Sequence, residues 1–262
     1  MPADVGRAET RIEDAASLFA DALLDGDLER CRQVTLSLFM NEYNISTICD
    51  RVIAGAFAEI GDRWACGEAE VYQERHGCEL TVRVLGELRS LIPPPPEDAP
   101  IAIGGTSMGD HFSIPTLMAE VVLRQNRWNA SSLGTHLPLE SFGAAIERYR
   151  PQVFWLSCSH VETRDGFIEV YNTLYDTHGN GTAFVIGGQA LDRSIRQQIR
   201  CTAHCETMGQ LESFACALHA RQTSGEFSAD FNAPKQNISN TKPELTDYMG
   251  TSRRKPNGDY QQ

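Results

Sequence analysis

Three histidines in this 262-residue chain follow three strand-like runs. His111 lies in GGTSMGDHFSIP after the apolar IAI, His136 in ASSLGTHLP, and His160 at the end of QVFWLSCSH. An imidazole on a loop can ligate a metal, move a proton or cap a helix. Any one of the three alone reads as a surface or capping residue. Three after successive strands read as a ligand site, because open parallel sheets bind ligands outside the carboxyl ends of their strands. The His111 loop is the richest, with Gly104, Gly105, Gly109, Thr106, Asp110 and Ser113 close by and Pro115 ahead of a helical pattern.

Several chemistries are excluded by spacing. Nicotinamide dinucleotide binding needs G-x-G-x-x-G, and glycines at 104, 105 and 109 do not supply it. No GK[ST] follows, so there is no P-loop, and no G-x-S-x-G elbow marks a serine hydrolase. Cys201 and Cys205 with His204 lack the further ligands that zinc requires and read as buried thiols. Arg193, Arg196 and Arg200 read as a solvated helix face.

A second unusual stretch is GDRWACGEAEVYQERH, residues 61–76. Trp64 precedes a turn at Gly67, so its indole can fold over the following helix. Val71 and Glu74 are three apart and share a face of that helix. Singly, Trp64 reads as a core anchor and Glu74 as a solvated charge.

The elements that must position these residues fall into two groups. Residues 9–92 predict helix throughout, with Leu18, Ala22 and Leu23 on one face, then Ile45, Ile48, Val52 and Ile53, then Leu80, Val84, Leu88 and Leu91. Gly26-Asp27 breaks the first helix, and Asn44 or Ser46 can cap the third. Such helices predict a bundle, residues 1–92. PPPPEDAP, residues 93–100, is a semi-rigid spacer. From 101 to 221 strand-like and helical segments alternate, which predicts a parallel sheet covered on both faces. Residues 222–262 are polar and aperiodic and read as a mobile tail, with Arg253-Arg254-Lys255 near its end.

Net charge of −12 argues against duplex DNA as a direct partner, since phosphate contacts need clustered Lys and Arg. No signal core and no apolar run of spanning length is present, so the expectation is a cytoplasmic protein without a membrane segment. Eight cysteines scattered through helices and strands are then expected as thiols.

Together these features resemble the cobalamin-binding module, a helical cap joined by a linker to a flavodoxin-like domain. Its cap motif is Trp, nine residues, then Glu-His. Here Trp64 is followed by nine residues and Glu74, then Arg75, with His76 one place late. Light sensors of the family carry a valine seven after the tryptophan, and here that is Val71. The α/β half of the pattern is Asp-x-His-x-x-Gly, then Ser-x-Leu, then Gly-Gly. Matching its histidine to His111 brings Ser157, Ser159 and Gly187-Gly188 into place, with Ser159 for the leucine. The acid stands at Asp110 beside the histidine, Gly109 occupies the usual acid position, and Ile114 replaces the closing glycine. The resemblance covers roughly residues 15–220.

The resemblance implies an α/β protein with a helical-bundle cap over the carboxyl edge of a flavodoxin-like, five-stranded parallel sheet. It implies cobalamin as cofactor, with haem as the alternative, and His111 as the metal ligand in place of the cofactor's own benzimidazole. Cofactor contacts would come from Trp64, Val71, Glu74, His76, Thr106, Asp110, Ser113, His136, Ser157, Ser159, Gly187 and Gly188. Trp64, Val71 and Glu74 should face His111. His76 is the first candidate for the opposite axial position, with His136 and His160 behind it. The small residues at 157, 159, 187 and 188 would leave a slot for the benzimidazole tail. In the usual motif the acid holds the distal nitrogen of the histidine. The stand-alone module also resembles the AerR/PpaA antirepressor family of purple photosynthetic bacteria. That implies a light- or redox-responsive regulator, not an enzyme, whose partner is a DNA-binding transcriptional repressor. A corrinoid carrier for a methyltransferase is the alternative role.

Overall fold

Helix α1 (Pro2–Asp25) opens the computed structural model, which describes residues 2–223. It ends at Gly26, whose φ of +72° is a left-handed conformation that glycine adopts without a Cβ clash. Helix α2 (Leu28–Met40) starts at Asp27, whose carboxylate accepts from the Arg30 N–H at 3.0 Å. Helix α3 (Ile45–Thr47) runs through a π-helical segment, Ile48–Ile53, into α4 (Ala54–Ala65). The wider π turn lets Ile45, Ile48, Cys49, Val52 and Ile53 all be buried. Helix α5 (Val71–Leu91) begins with reciprocal capping between Glu70 and Gln73. The Gln73 amide also donates to the Leu24 carbonyl at 3.0 Å and ties α5 to the end of α1. The buried face of α1 includes the expected Ala22 and Leu23 but not Leu18. Ile12, Ala15, Phe19, Ala22 and Leu23 are buried, and Leu18, a helical step from Phe19, is exposed. Leu91 is likewise exposed, beyond the last core position of α5, Leu88.

Residues 93–100 contain neither helix nor strand. The strands that follow are β1 (Ile101–Thr106), β2 (Asn129–Ser132), β3 (Val153–Ser157), β4 (Ala183–Gly187) and β5 (Ala203–His204). All pair in parallel, in the order β2-β1-β3-β4-β5. This is the flavodoxin-like order, with its topological switch between β1 and β3. Helices α6 (Ser113–Gln125) and α10 (Met208–Thr223) cover one face. Helices α7 (Leu139–Tyr149), α8 (Arg164–His178) and α9 (Arg193–Arg196) cover the other. Alternation along each strand makes this sandwich: Phe154 and Leu156 point one way, Val153 and Trp155 the other. Gly104 is required here, because a Cβ on it would lie 2.2 Å from the Trp155 ring.

The bundle docks on the α6/α10 face, a correction to the expected placement on top of the carboxyl edge. Met118, Val121 and Val122 of α6 belong to the bundle's own core. Burying each such side chain contributes about 1.5–3 kcal/mol, more than a polar contact supplies. Polar contacts fix the register. Buried Glu120 meets Arg89 at 2.7 Å and accepts from the Ser132 N–H at 3.2 Å. Asp50, in the π segment, accepts from the Met208 and Gly209 N–H groups at 2.8 and 2.9 Å, holding the start of α10. The Ser46 hydroxyl donates to Glu212, and the Gln125 side chain accepts from the Ile45 N–H at 2.8 Å.

Candidate functional site

The end of β1 is built around Thr106, which is fully buried. Its hydroxyl donates to the Asp110 carbonyl at 2.6 Å and accepts from the His136 N–H at 3.0 Å. The Asp110 carbonyl accepts from the same His136 N–H at 3.0 Å, and the Asp110 N–H donates to Ser107. Residues 107–110 thus form a tight turn, with Gly109 at φ +84°. The β1 and β2 loops are laced together where the carboxyl edge begins.

Asp110 carries the second set of contacts. Its carboxylate is fully buried and accepts three backbone N–H groups: Phe112 at 3.0 Å, Ser159 at 2.6 Å and His160 at 3.2 Å. Both oxygens are therefore used, and neither bonds the His111 ring. The acid implied to support the histidine instead clamps the β1 loop to the β3 loop across the topological switch. In this structure Asp110 therefore does not provide the acid–histidine bond of the usual motif.

His111 is exposed on the outer side of this loop. Its ring stacks on His136, with centroids 4.3 Å apart and planes 21° from parallel. No hydrogen bond joins either His111 ring nitrogen to another of the described residues. The His136 Nδ1 accepts from the Gly109 N–H at 2.8 Å, and His136 itself adopts a left-handed backbone, φ +59°. His160 is exposed and reaches the cluster through its N–H alone.

The structure brings His111, His136, Thr106, Asp110 and Ser159 together. Ser113 is half-buried at the first position of α6, and Ser157 is buried at the end of β3, beside Thr106 and Gly187 in register. Gly187 and Gly188 have a reason of their own to lack side chains. A Cβ on Gly187 would lie 2.3 Å from the Cys205 carbonyl, and one on Gly188 2.2 Å from the Cys158 carbonyl. Their smallness is needed by the protein's own backbone, whatever binds alongside. Burial and then Asp110 push the Cys158 thiol far above its usual range, so it is inert packing between the two serines.

On the bundle, Trp64 and Val71 are exposed at either side of the α4–α5 turn, and Glu74 is half-buried on the first turn of α5. His76 does not turn toward the sheet. Its ring lies against Gly26 at the α1–α2 turn, within 3.1 Å of where a Cβ would stand. Arg75 makes the link instead, its guanidinium 5.8 Å from the centre of the Phe112 ring. Phe112 and Met108 are exposed apolar residues flanking His111 that sequence reasoning missed. Their signal was present: two large apolar side chains in a glycine-rich loop with no periodicity that would bury them. Cys201 and Cys205, expected as buried thiols, are half-buried, and among the described residues no group of three or more His, Cys, Asp or Glu could hold a metal ion. Arg193, Arg196 and Arg200 are exposed, and Arg196 pairs with Glu206 at 2.6 Å. No described helix is long and apolar enough to cross a membrane.

Residues 16–89 match the B12 binding domain family. None of the curated proteins matches the sequence. Among solved structures the fold is similar to the monomethylamine corrinoid protein of Methanosarcina barkeri, with TM-score 0.65 and 13% identity over 78% of this chain and 98% of that one. A cobalamin-binding protein from Desulfitobacterium hafniense DCB-2 aligns with TM-score 0.40 and 15% identity over 78% and 96%. The methanol:cobalamin methyltransferase complex MtaBC of Methanosarcina barkeri aligns with TM-score 0.43 and 17% identity over 79% and 80%. The likeness at TM-score 0.65 places this chain in the corrinoid-protein fold, a helical region followed by a five-stranded parallel sheet.

Proposed function

We propose that this chain is a cobalamin-binding regulator that acts through a protein partner and catalyses nothing itself. The observation that carries the cofactor is His111. It is an exposed imidazole at the carboxyl edge of a corrinoid-type fold, with neither ring nitrogen bonded to another of the described residues, and the bundle packed on the α6/α10 face matches the B12 binding domain family. Imidazole is a competent ligand for cobalt. Bound cobalamin would supply a cobalt centre whose ligation responds to light and to redox state. His111 would ligate from the sheet side. Trp64 and Val71 of the bundle, with Met108 and Phe112 of the loop, would supply apolar cover, and the hydroxyls of Ser157 and Ser159 would line the edge.

The regulatory half of the proposal rests on charge and on the loop. Net charge of −12 suits a protein partner better than duplex DNA, and the partner proposed is a DNA-binding transcriptional repressor. Spending Asp110 on backbone donors leaves the His111 ring without a carboxylate partner, which suits a ligand that is exchanged as a signal. The first test is the absorption spectrum and metal content of protein purified in the dark with cobalamin, wild type against His111→Ala. A cobalt-bound spectrum that is identical in both refutes His111 as ligand, and a Soret band without cobalt means haem. Repressor binding is then measured dark, illuminated and cofactor-free. Equal affinity in all three refutes regulation. A corrinoid carrier is the second reading, favoured by the fold likeness over nearly the whole of a corrinoid protein. It requires that the reduced, loaded protein accept a methyl group from a barrel methyltransferase.

A further inference from the structure

Resting on the reading that His111 is the ligand, we propose that His136 is its positioning residue. It fixes the plane of the His111 ring by stacking and is itself fixed by the Gly109 N–H.

The His136 Nδ1 accepts the Gly109 N–H at 2.8 Å, so that nitrogen carries no proton. A neutral imidazole with an acceptor at Nδ1 carries its proton at Nε2. Neither nitrogen of His136 then has a lone pair to offer a metal while the Gly109 bond stands. His136 therefore cannot be the ligand in this arrangement, although it lies as close to the site as His111 does. What it offers is a flat face. The His111 ring stacks on that face, with centroids 4.3 Å apart and planes 21° from parallel, and this contact restrains its rotation.

The backbone is committed to holding this face in place. Gly109 is left-handed at φ +84°, which aims its N–H at His136. His136 is left-handed at φ +59°, a conformation few residues other than glycine and asparagine adopt without cost. The His136 N–H is held twice, by the Thr106 hydroxyl and the Asp110 carbonyl, both at 3.0 Å. Asp110, the carboxylate beside His111 in the chain, has both oxygens occupied and cannot take this role. The chain from Thr106 through His136 to His111 is thus a continuous support for one ring.

Two variants separate the parts of this support. His136→Phe keeps a ring and loses the acceptor. His136→Asn keeps an amide acceptor, tolerates the backbone and loses the ring. Cobalamin affinity and the histidine-ligated fraction, read from the absorption spectrum at fixed pH, are measured for both. Expected is about a fivefold loss of affinity and a smaller ligated fraction for His136→Asn, the size of one aromatic pair. His136→Phe keeps the stacking face but loses the Gly109 bond and is strained at the left-handed backbone, so its affinity and ligated fraction should fall between those of His136→Asn and wild type. A wild-type spectrum and affinity for His136→Asn overturn the proposal. A second measurement needs neither variant nor cofactor: nitrogen-15 NMR of the unloaded wild type should show His136 Nδ1 unprotonated and Nε2 protonated. A protonated Nδ1 also overturns it. If His111→Ala binds and ligates as wild type does, the ligand assignment fails instead, and the NMR result still stands or falls by itself.

Discussion

Asp110→Asn is the most informative single change in the His111 loop. The replacement is isosteric, so packing is preserved and only the acceptor pattern changes. The carboxylate now takes three N–H groups: Ser159 at 2.6 Å and His160 at 3.2 Å on one oxygen, Phe112 at 3.0 Å on the other. The best orientation of the amide keeps its oxygen toward Ser159 and His160. Its NH2 group then faces the Phe112 N–H, donor against donor. A hydrogen bond to a charged acceptor is worth about 1.5–3 kcal/mol, and a stranded donor costs about 1–3. Phe112 is exposed enough for water to serve its N–H, so the lower end applies, and about 2 kcal/mol is expected. Asp110→Ala strands all three donors and should cost about 4 kcal/mol by the same scale. Urea unfolding followed by far-ultraviolet circular dichroism measures both, with the slope expected to stay constant. The same variants should lose cobalamin affinity, because the clamp sets the distance between the β1 and β3 loops. Unfolding free energies for both variants within about 0.5 kcal/mol of wild type would refute the clamp.

The remaining predictions test the docking and the cofactor edge. Burial, helped by Glu212, raises the Asp50 carboxyl above the usual carboxylate range, against the lowering effect of its Met208 and Gly209 bonds. In the window between the ordinary and the raised value the folded state binds the extra proton, so stability falls as pH rises through it, and Asp50→Asn should flatten that slope in unfolding measured against pH. Gly187→Leu should destabilise the fold outright, by more than about 3 kcal/mol, because its Cβ would sit 2.3 Å from a backbone carbonyl that cannot give way, and limited proteolysis should show it before any ligand is added. Trp64→Ala should leave stability within about 0.5 kcal/mol, since the indole is exposed, yet speed exchange of the outer axial ligand in loaded protein measured by stopped-flow absorbance.

The alternation of helix and strand after residue 101 was legible because strands buried on both faces, such as VFWLS and AFVIG, stand out as apolar runs. So were His111 and its neighbours as a loop at the carboxyl edge, since glycines and Pro115 bound them. What could not be read was the docking of the bundle. The apolar face of α6 is wide enough to serve two cores, Ala119 and Leu123 toward the sheet and Met118, Val121 and Val122 toward the bundle, and periodicity cannot say which neighbour a face meets. On α1 the expected Ala22 and Leu23 are buried, but Phe19 takes the core position one residue from Leu18. The π segment at Ile48–Ile53 was invisible because it changes hydrogen bonding and not composition. The polar tail assigned to 222–262, with its basic end, lies outside the described residues apart from its first two positions.

The hardest part to foresee was the effect of moving an acid by one residue. Asp110 and His111 are adjacent in a turn, and their side chains part. The structure sends Asp110 inward, fully buried, and His111 outward, exposed. An inward carboxylate must find donors or bear a large desolvation cost. The nearest donors are backbone N–H groups of the β3 loop, and taking them converts the acid from a possible partner of the imidazole into a tie between two loops. The histidine, pointing out, must then be held by something else that is already on the surface. His136 lies there because Thr106 and Asp110 fix its N–H, and Gly109 fixes its ring. The same turn thus decides both where the ligand's support is lost and where it is replaced.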